Sequence, residues 1–150
     1  MSRALAVAAR GLGRTSPNPV VGAVVVDRDG VVVGSGYHEA AGGPHAEVHA
    51  LAAAGPRARG ATLYCTLEPC SHVGRTGPCA PRVAEAGIAR AVIAVEDPNP
   101  LVSGRGLALL RERGLTVVCG VLDAEARALN APFFTVMRRG RPFVTIKAAL

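Results

Sequence analysis

The apolar positions of this chain change their period several times along its length, and each change marks an element. Residues 20–27 and 31–36 are apolar, β-branched runs separated by Arg28-Asp29-Gly30, which predicts a hairpin. Beyond residue 45 the pattern alternates. It predicts helices over 46–54, 80–86, 104–113 and 123–136, and strands over 61–67, 91–95 and 115–120. Residues 2–12 predict an amphipathic helix ahead of the hairpin. The last run, 141–147, predicts the start of another strand, and it stops three residues later in apolar sequence, so the chain reads as cut short. A hairpin followed by strand-helix repeats belongs to the α/β class. The expected architecture has three layers, α/β/α, with a mixed sheet covered by helices on both faces and ligands at strand ends and helix N-termini.

Composition narrows the setting. With 150 residues, 49% of them hydrophobic and 19% charged, the chain can bury a core as one domain. There is no uninterrupted apolar run of about 18 residues and the N-terminus lacks the layout of a secretion signal, so no membrane association is expected and the location is expected to be cytoplasmic. The net charge of +6 raises the question of nucleic acid. The arginines are dispersed, however, and with two Tyr and three Phe there is little to stack on bases, so no nucleic-acid partner is expected. Lys147 stands out as the single lysine, a compact ammonium suited to holding a phosphate.

The four cysteines divide into two kinds. Cys65 and Cys119 sit in apolar, strand-like runs and read as core. Cys70 and Cys79 stand in Gly- and Pro-rich loops that lead into helices, where the exposed N–H groups of a helix start favour a thiolate. Joined by His45, these two supply one imidazole and two thiols, three ligands for a zinc ion that keeps an open position. Such an ion acidifies its water from about 16 toward about 7 and so provides a nucleophile at neutral pH. Glu47 follows His45 by two residues. The pattern His-x-Glu, then Pro-Cys, then a second Cys resembles that of zinc-dependent base deaminases, in which the Glu moves protons without binding the metal.

Other readings stay open at this level. His45 and His49 have the i, i+4 spacing of a zincin helix, but that motif needs Glu directly after the first His, so His49 reads as a solvated helix residue. A purely structural zinc would use the same three ligands, although it would leave Glu47 without a purpose. Deamination of a different base, in cytidine, dCMP or tRNA adenosine, would use the same centre.

A longer set of motifs separates these alternatives. Thr15-Ser16-Pro17-Asn18-Pro19-Val20-Val21-Gly22, Gly36-Tyr37-His38, Pro44-His45-Ala46-Glu47, the stretch from Glu68-Pro69-Cys70 through His72 and Arg75 to Thr76, Cys79, and Glu96-Asp97-Pro98-Asn99-Pro100 together resemble the deaminase domain of the bifunctional riboflavin-biosynthesis deaminase–reductase family. The resemblance covers essentially the whole chain. It implies a cytidine-deaminase-like fold, zinc on His45, Cys70 and Cys79, and Glu47 as proton carrier. It also implies hydrolysis of the ring amine of 2,5-diamino-6-(5-phosphoribosylamino)pyrimidin-4(3H)-one, a small ribosylaminopyrimidine 5′-phosphate. Asn18, His38 and His72 would then contact the ring or ribose, Arg75 and Lys147 the phosphate, and Asn99 the pocket wall. Residues 1–143 would form the deaminase domain and 144–150 the beginning of a reductase domain whose NADP chemistry is absent here; a homo-oligomer is expected. One departure is visible. The family commonly carries Thr-Pro-Pro-Cys where this chain has Thr76-Gly77-Pro78-Cys79, which loosens the loop before the ligand without removing a functional group.

Overall fold

The computed structural model describes residues 1–71, 77–100 and 102–148. Helix α1 (Ser2–Ala8) leads into the hairpin β1 (Gly22–Val26) and β2 (Val32–Tyr37). Then follow α2 (Ala46–Ala54), β3 (Thr62–Cys65), α3 (Cys79–Glu85), β4 (Arg90–Ile93), α4 (Arg105–Glu112), β5 (Thr116–Cys119), α5 (Asp123–Leu129) and α6 (Ala131–Arg139). The strands form one sheet in the order β2-β1-β3-β4-β5. β1 runs antiparallel to both β2 and β3, while β3, β4 and β5 are mutually parallel. The sheet is therefore mixed, as the pattern of a hairpin plus strand-helix repeats predicts.

Both faces are covered. On one, Ala46, Ala50, Ala80, Val83, Leu107 and Leu110 from α2, α3 and α4 pack on Ala23, Val25, Leu63 and Ile93 of the strands. On the other, Leu5, Ala126 and Phe134 bring α1, α5 and α6 against Leu67, Ala94 and Val95. Close approach of α2 depends on two glycines of β2. A Cβ at Gly34 would lie 2.1 Å from the Ala50 carbonyl oxygen, and one at Gly36 would lie 2.3 Å from the His49 Cβ. Alanines on the helix and glycines on the strand thus let backbone meet backbone, and this sets the N-terminus of α2 beside the ends of the central strands. Among the described residues no helix is long and apolar enough to cross a membrane.

Four expectations need correction. The helix expected over 123–136 is two helices, broken at Asn130: its side-chain oxygen accepts the Val20 N–H at 2.8 Å and its nitrogen donates to the Val20 carbonyl at 2.8 Å. Asn130 therefore serves tertiary structure, and Pro132 in the first turn of α6 suits a new start rather than a helix interior. The N-terminal helix is shorter than 2–12, giving way to a single 3₁₀ turn at Ala9–Gly11 that leaves Leu12 exposed. The segment 141–147 pairs with no strand, and its residues are exposed. Cys119 ends the edge strand β5 and is exposed, whereas Cys65, on the interior strand β3, is buried as expected.

Candidate metal centre

Two local arrangements bring the ligand candidates together. Gly42 takes a positive φ of 84°, a conformation glycine adopts without strain, and the chain then enters α2 with His45 in extended backbone at the N-cap position. Cys70 follows β3, and its carbonyl accepts the N–H groups of both Cys79 and Ala80 at 3.0 Å, which ties the Cys70 turn to the first residues of α3. The His45 Nδ1 lies 3.6 Å from the Cys70 sulfur and 3.3 Å from the Cys79 sulfur. All three ligand atoms fall within 4.8 Å of one another. Zinc bonds of about 2.3 Å to sulfur and about 2.0 Å to nitrogen, at tetrahedral angles, require N···S separations of about 3.5 Å, so the donor set fits zinc in kind and in spacing.

The electrostatics match a site built for a cation. The thiol of Cys79 and the His45 ring hold the Cys70 sulfur as a thiolate, its pKa lowered to about 4 against opposing burial. The same contact with Cys70, reinforced by burial, pushes Cys79 up. His45 is raised chiefly by its hydrogen bond with Cys70. Glu47 is 3% exposed, and burial carries its carboxyl up to about 7, with the nearby Cys70 charge adding to the shift. One of its oxygens, Oε2, is buried without a hydrogen-bond partner among the described residues. An orphaned carboxylate oxygen is costly to bury, and it points to a group that arrives with the metal or the substrate.

His45, Glu47 and Cys70 line a cavity of about 420 Å³ together with Asn18, His38 and Asn99. Asn18 stands on the loop before β1 and His38 just after β2. His38 is only 3% exposed, and burial lowers its pKa. Lys147 lies in the exposed segment after α6 and is not among the lining residues. His72 and Arg75 lie outside the described residues. His49 departs from the solvated residue expected: it is half-buried against β2, with its Nε2 buried and unpartnered among the described residues.

Sequence reasoning passed over three features of the site. Glu68, 3% exposed, accepts backbone N–H groups from Asp97 (3.1 Å) and Gly104 (2.9 Å) on one oxygen, and from Gly106 (2.8 Å) and Leu107 (3.3 Å) on the other. It thereby fastens the Cys70 turn to the start of α4 and to the loop that carries Asn99. Gly106 permits this, since a Cβ there would lie 2.0 Å from the Pro69 carbonyl oxygen. Asp97 also lines the cavity, and its carboxylate accepts the Asn99 N–H at 2.8 Å. Phe133 and Met137 of α6 supply an apolar wall. A Glu directly before Pro-Cys was the available signal for the first of these and the Glu96-Asp97-Pro98-Asn99-Pro100 motif for the second; none marked the third.

A three-layer fold with a His/Cys/Cys centre and a buried glutamate beside it defines a class, and the chain belongs to it. Residues 1–95 match the family described as the cytidine and deoxycytidylate deaminase zinc-binding region, and that match includes all four of these residues. Within the class, the chain is 55% identical over 149 residues to the riboflavin biosynthesis protein RibD of Aquifex aeolicus, covering 99% of this chain and 42% of that protein. It also resembles the structure of Acinetobacter baumannii RibD, with a TM-score of 0.92 and 47% identity over 95% of this chain and 40% of that one. A Thermotoga maritima structure described as a diaminohydroxyphosphoribosylaminopyrimidine deaminase/5-amino-6-(5-phosphoribosylamino)uracil reductase gives a TM-score of 0.90 at 47% identity, covering 95% of this chain and 41% of that one. The chain thus spans about two-fifths of the length of these relatives.

Proposed function

We propose that this chain catalyses the hydrolytic deamination of 2,5-diamino-6-(5-phosphoribosylamino)pyrimidin-4(3H)-one to 5-amino-6-(5-phosphoribosylamino)uracil and ammonia, with zinc held by His45, Cys70 and Cys79. The observation that carries this reading is Glu47: a buried carboxyl with a pKa of about 7 and an unpartnered oxygen, beside a zinc-type ligand set in a cavity large enough for a ring. A purely structural zinc gives such a group no task. High identity across nearly the whole chain to proteins named for riboflavin biosynthesis favours the diaminopyrimidine over other bases.

Zinc, when bound, supplies the Lewis acidity that makes a water nucleophilic near neutral pH. The remaining work falls to side chains. Glu47 as carboxylate takes a proton from the attacking water and passes it to the ring nitrogen beside the attacked carbon. A second transfer through the same carboxyl places a proton on the exocyclic amine, which leaves as ammonia while the carbon becomes a carbonyl. Water and substrate thus become uracil and ammonia, and Glu47 returns to its starting state. A pKa near 7 suits a group that must be base and then acid. Asn18 would meet the ring edge. Arg75 and Lys147 would hold the phosphate, where a cation gives charge-assisted contacts.

The decisive measurement is ammonia release by zinc-loaded protein given this substrate, with cytidine, dCMP and a tRNA anticodon stem-loop in parallel. Turnover confined to the diaminopyrimidine phosphate supports the proposal, and preference for one of the others replaces it.

A further inference from the structure

The pair Asn18 and His38 does more than line the cavity. His38 Nδ1 lies 3.0 Å from the Pro44 carbonyl oxygen. A carbonyl only accepts, so the ring carries its hydrogen on Nδ1. In the neutral ring Nε2 then has a lone pair and no hydrogen, and a charged ring, 3% exposed with neither ring nitrogen bonded to a carboxylate, would be poorly solvated. Nε2 lies 3.1 Å from the Asn18 side-chain nitrogen. Only that nitrogen can donate to it; the amide turned over would set oxygen against a lone pair. The Asn18 backbone is committed as well, its N–H donating to the Thr15 carbonyl at 2.8 Å and its carbonyl accepting the Thr15 hydroxyl at 3.0 Å. What Asn18 has left for a ligand is its amide oxygen, its one remaining acceptor, which has no partner among the described residues, and the second hydrogen of its amide nitrogen.

We propose that His38 is a positioning residue: its ring, oriented by the Pro44 carbonyl, locks the Asn18 amide with oxygen facing the cavity, so that the site selects a ring edge bearing an N–H donor. The inference rests on the deaminase reading above and sharpens its substrate class. A 2-amino-4-oxopyrimidine carries a ring N–H next to the carbon that loses its amine. Cytosine in a nucleoside has only a lone pair and a C–H in the corresponding places, and its one N–H-bearing group is the amine that leaves. A fixed acceptor therefore favours the first ring and sets lone pair against lone pair for the second, a form of discrimination that depends on the amide being unable to turn.

The test uses two readouts on the full, zinc-loaded chain. Long-range proton–nitrogen correlation spectra of ¹⁵N-labelled protein report which His38 nitrogen carries hydrogen; the expected result is Nδ1–H with bare Nε2. The second readout is steady-state kinetics of His38→Asn, whose amide nitrogen takes the place of Nδ1 and keeps the Pro44 bond but offers no acceptor to Asn18. We expect KM for the diaminopyrimidine phosphate to rise roughly 3- to 10-fold, the scale of one neutral hydrogen bond, with kcat and zinc content unchanged. A purely structural His38 would lower the yield of folded enzyme and leave the KM of the folded fraction as it was, which would overturn the proposal. An Nε2–H tautomer in the wild-type protein would overturn it whatever the variant does, and so it decides the matter if His38→Asn does not fold. No turnover of the diaminopyrimidine with the Nδ1–H tautomer intact would remove the functional reading and the substrate preference with it, leaving the amide orientation standing.

Discussion

A carboxyl group that is almost fully buried, with one oxygen unpaired, makes little sense as scaffolding, because an amide or an apolar side chain of the same shape would cost less there. Glu47→Gln keeps that shape and removes the ionisable proton. It should retain zinc while losing turnover by about 10²- to 10⁴-fold, as is usual for a general acid–base group; metal analysis and initial rates on the same sample check it. An effect within about three-fold, roughly 0.7 kcal/mol in barrier, would make the residue structural. The cluster of His45, Cys70 and Cys79 with Glu47 beside it was legible in the sequence because the chemistry of a metal site restricts residue type and local spacing together. His38 was picked out as a substrate contact, but its bond to Asn18, like the bonds of Glu68, was not legible, for a common reason. Each makes hydrogen bonds to atoms of distant segments, Asn18 in one case and Asp97, Gly104, Gly106 and Leu107 in the other, and a one-dimensional reading holds no trace of those partners.

Between elements, the buried carboxylate of Glu68 holds the Cys70 turn, the Asn99 loop and the first turn of α4 in one arrangement. Glu68→Gln would place an NH₂ against two backbone donors, leaving them unsatisfied. A loss of roughly 1–3 kcal/mol in urea denaturation is expected, with weaker zinc binding because the Cys70 turn is released. The β1–β2 turn offers a pH-dependent counterpart. Asp27 accepts the N–H groups of Asp29 and Val31 and pairs with Arg57; its carboxyl is held below the usual 3.8, first by the Val31 bond and, against some burial, by Arg57 and Asp29. A depressed carboxyl stabilises the fold above its unfolded pKa, and that contribution disappears as pH falls through the folded value. Asp27→Asn should therefore lower Tm at pH 7 and cease to matter once the pH has fallen below the folded-state pKa, itself under 3.8, which parallel melts would reveal. The order and type of the elements were legible, and α2 matches its expected bounds. The break at Asn130 was not, since residues 123–136 carry one continuous helical period and only the distant Val20 backbone shows why the helix stops.

For the whole molecule, the metal couples the site to the fold. The three candidate ligands sit at the start of α2, in the turn after β3 and in α3, so an ion bound to the native state alone adds RT ln(1 + [Zn]/Kd), about 2.7 kcal/mol at free zinc about a hundred-fold above Kd. Stripping with a chelator should lower Tm by several degrees and readdition should restore it, with the shift abolished in Cys79→Ala; scanning calorimetry measures all three. The reciprocal bonds between Asn130 and Val20 have an effect of another kind. They join residues 110 positions apart, and α6, with Phe133 and Met137, comes after them. During synthesis on a ribosome, His45, Glu47, Cys70 and Cys79 would have left the exit tunnel well before the piece that closes the apolar wall. The nascent chain would present the His45, Cys70 and Cys79 cluster in an open bowl until Asn130 emerged, which makes the cavity, rather than the candidate metal centre, the later of the two to be completed.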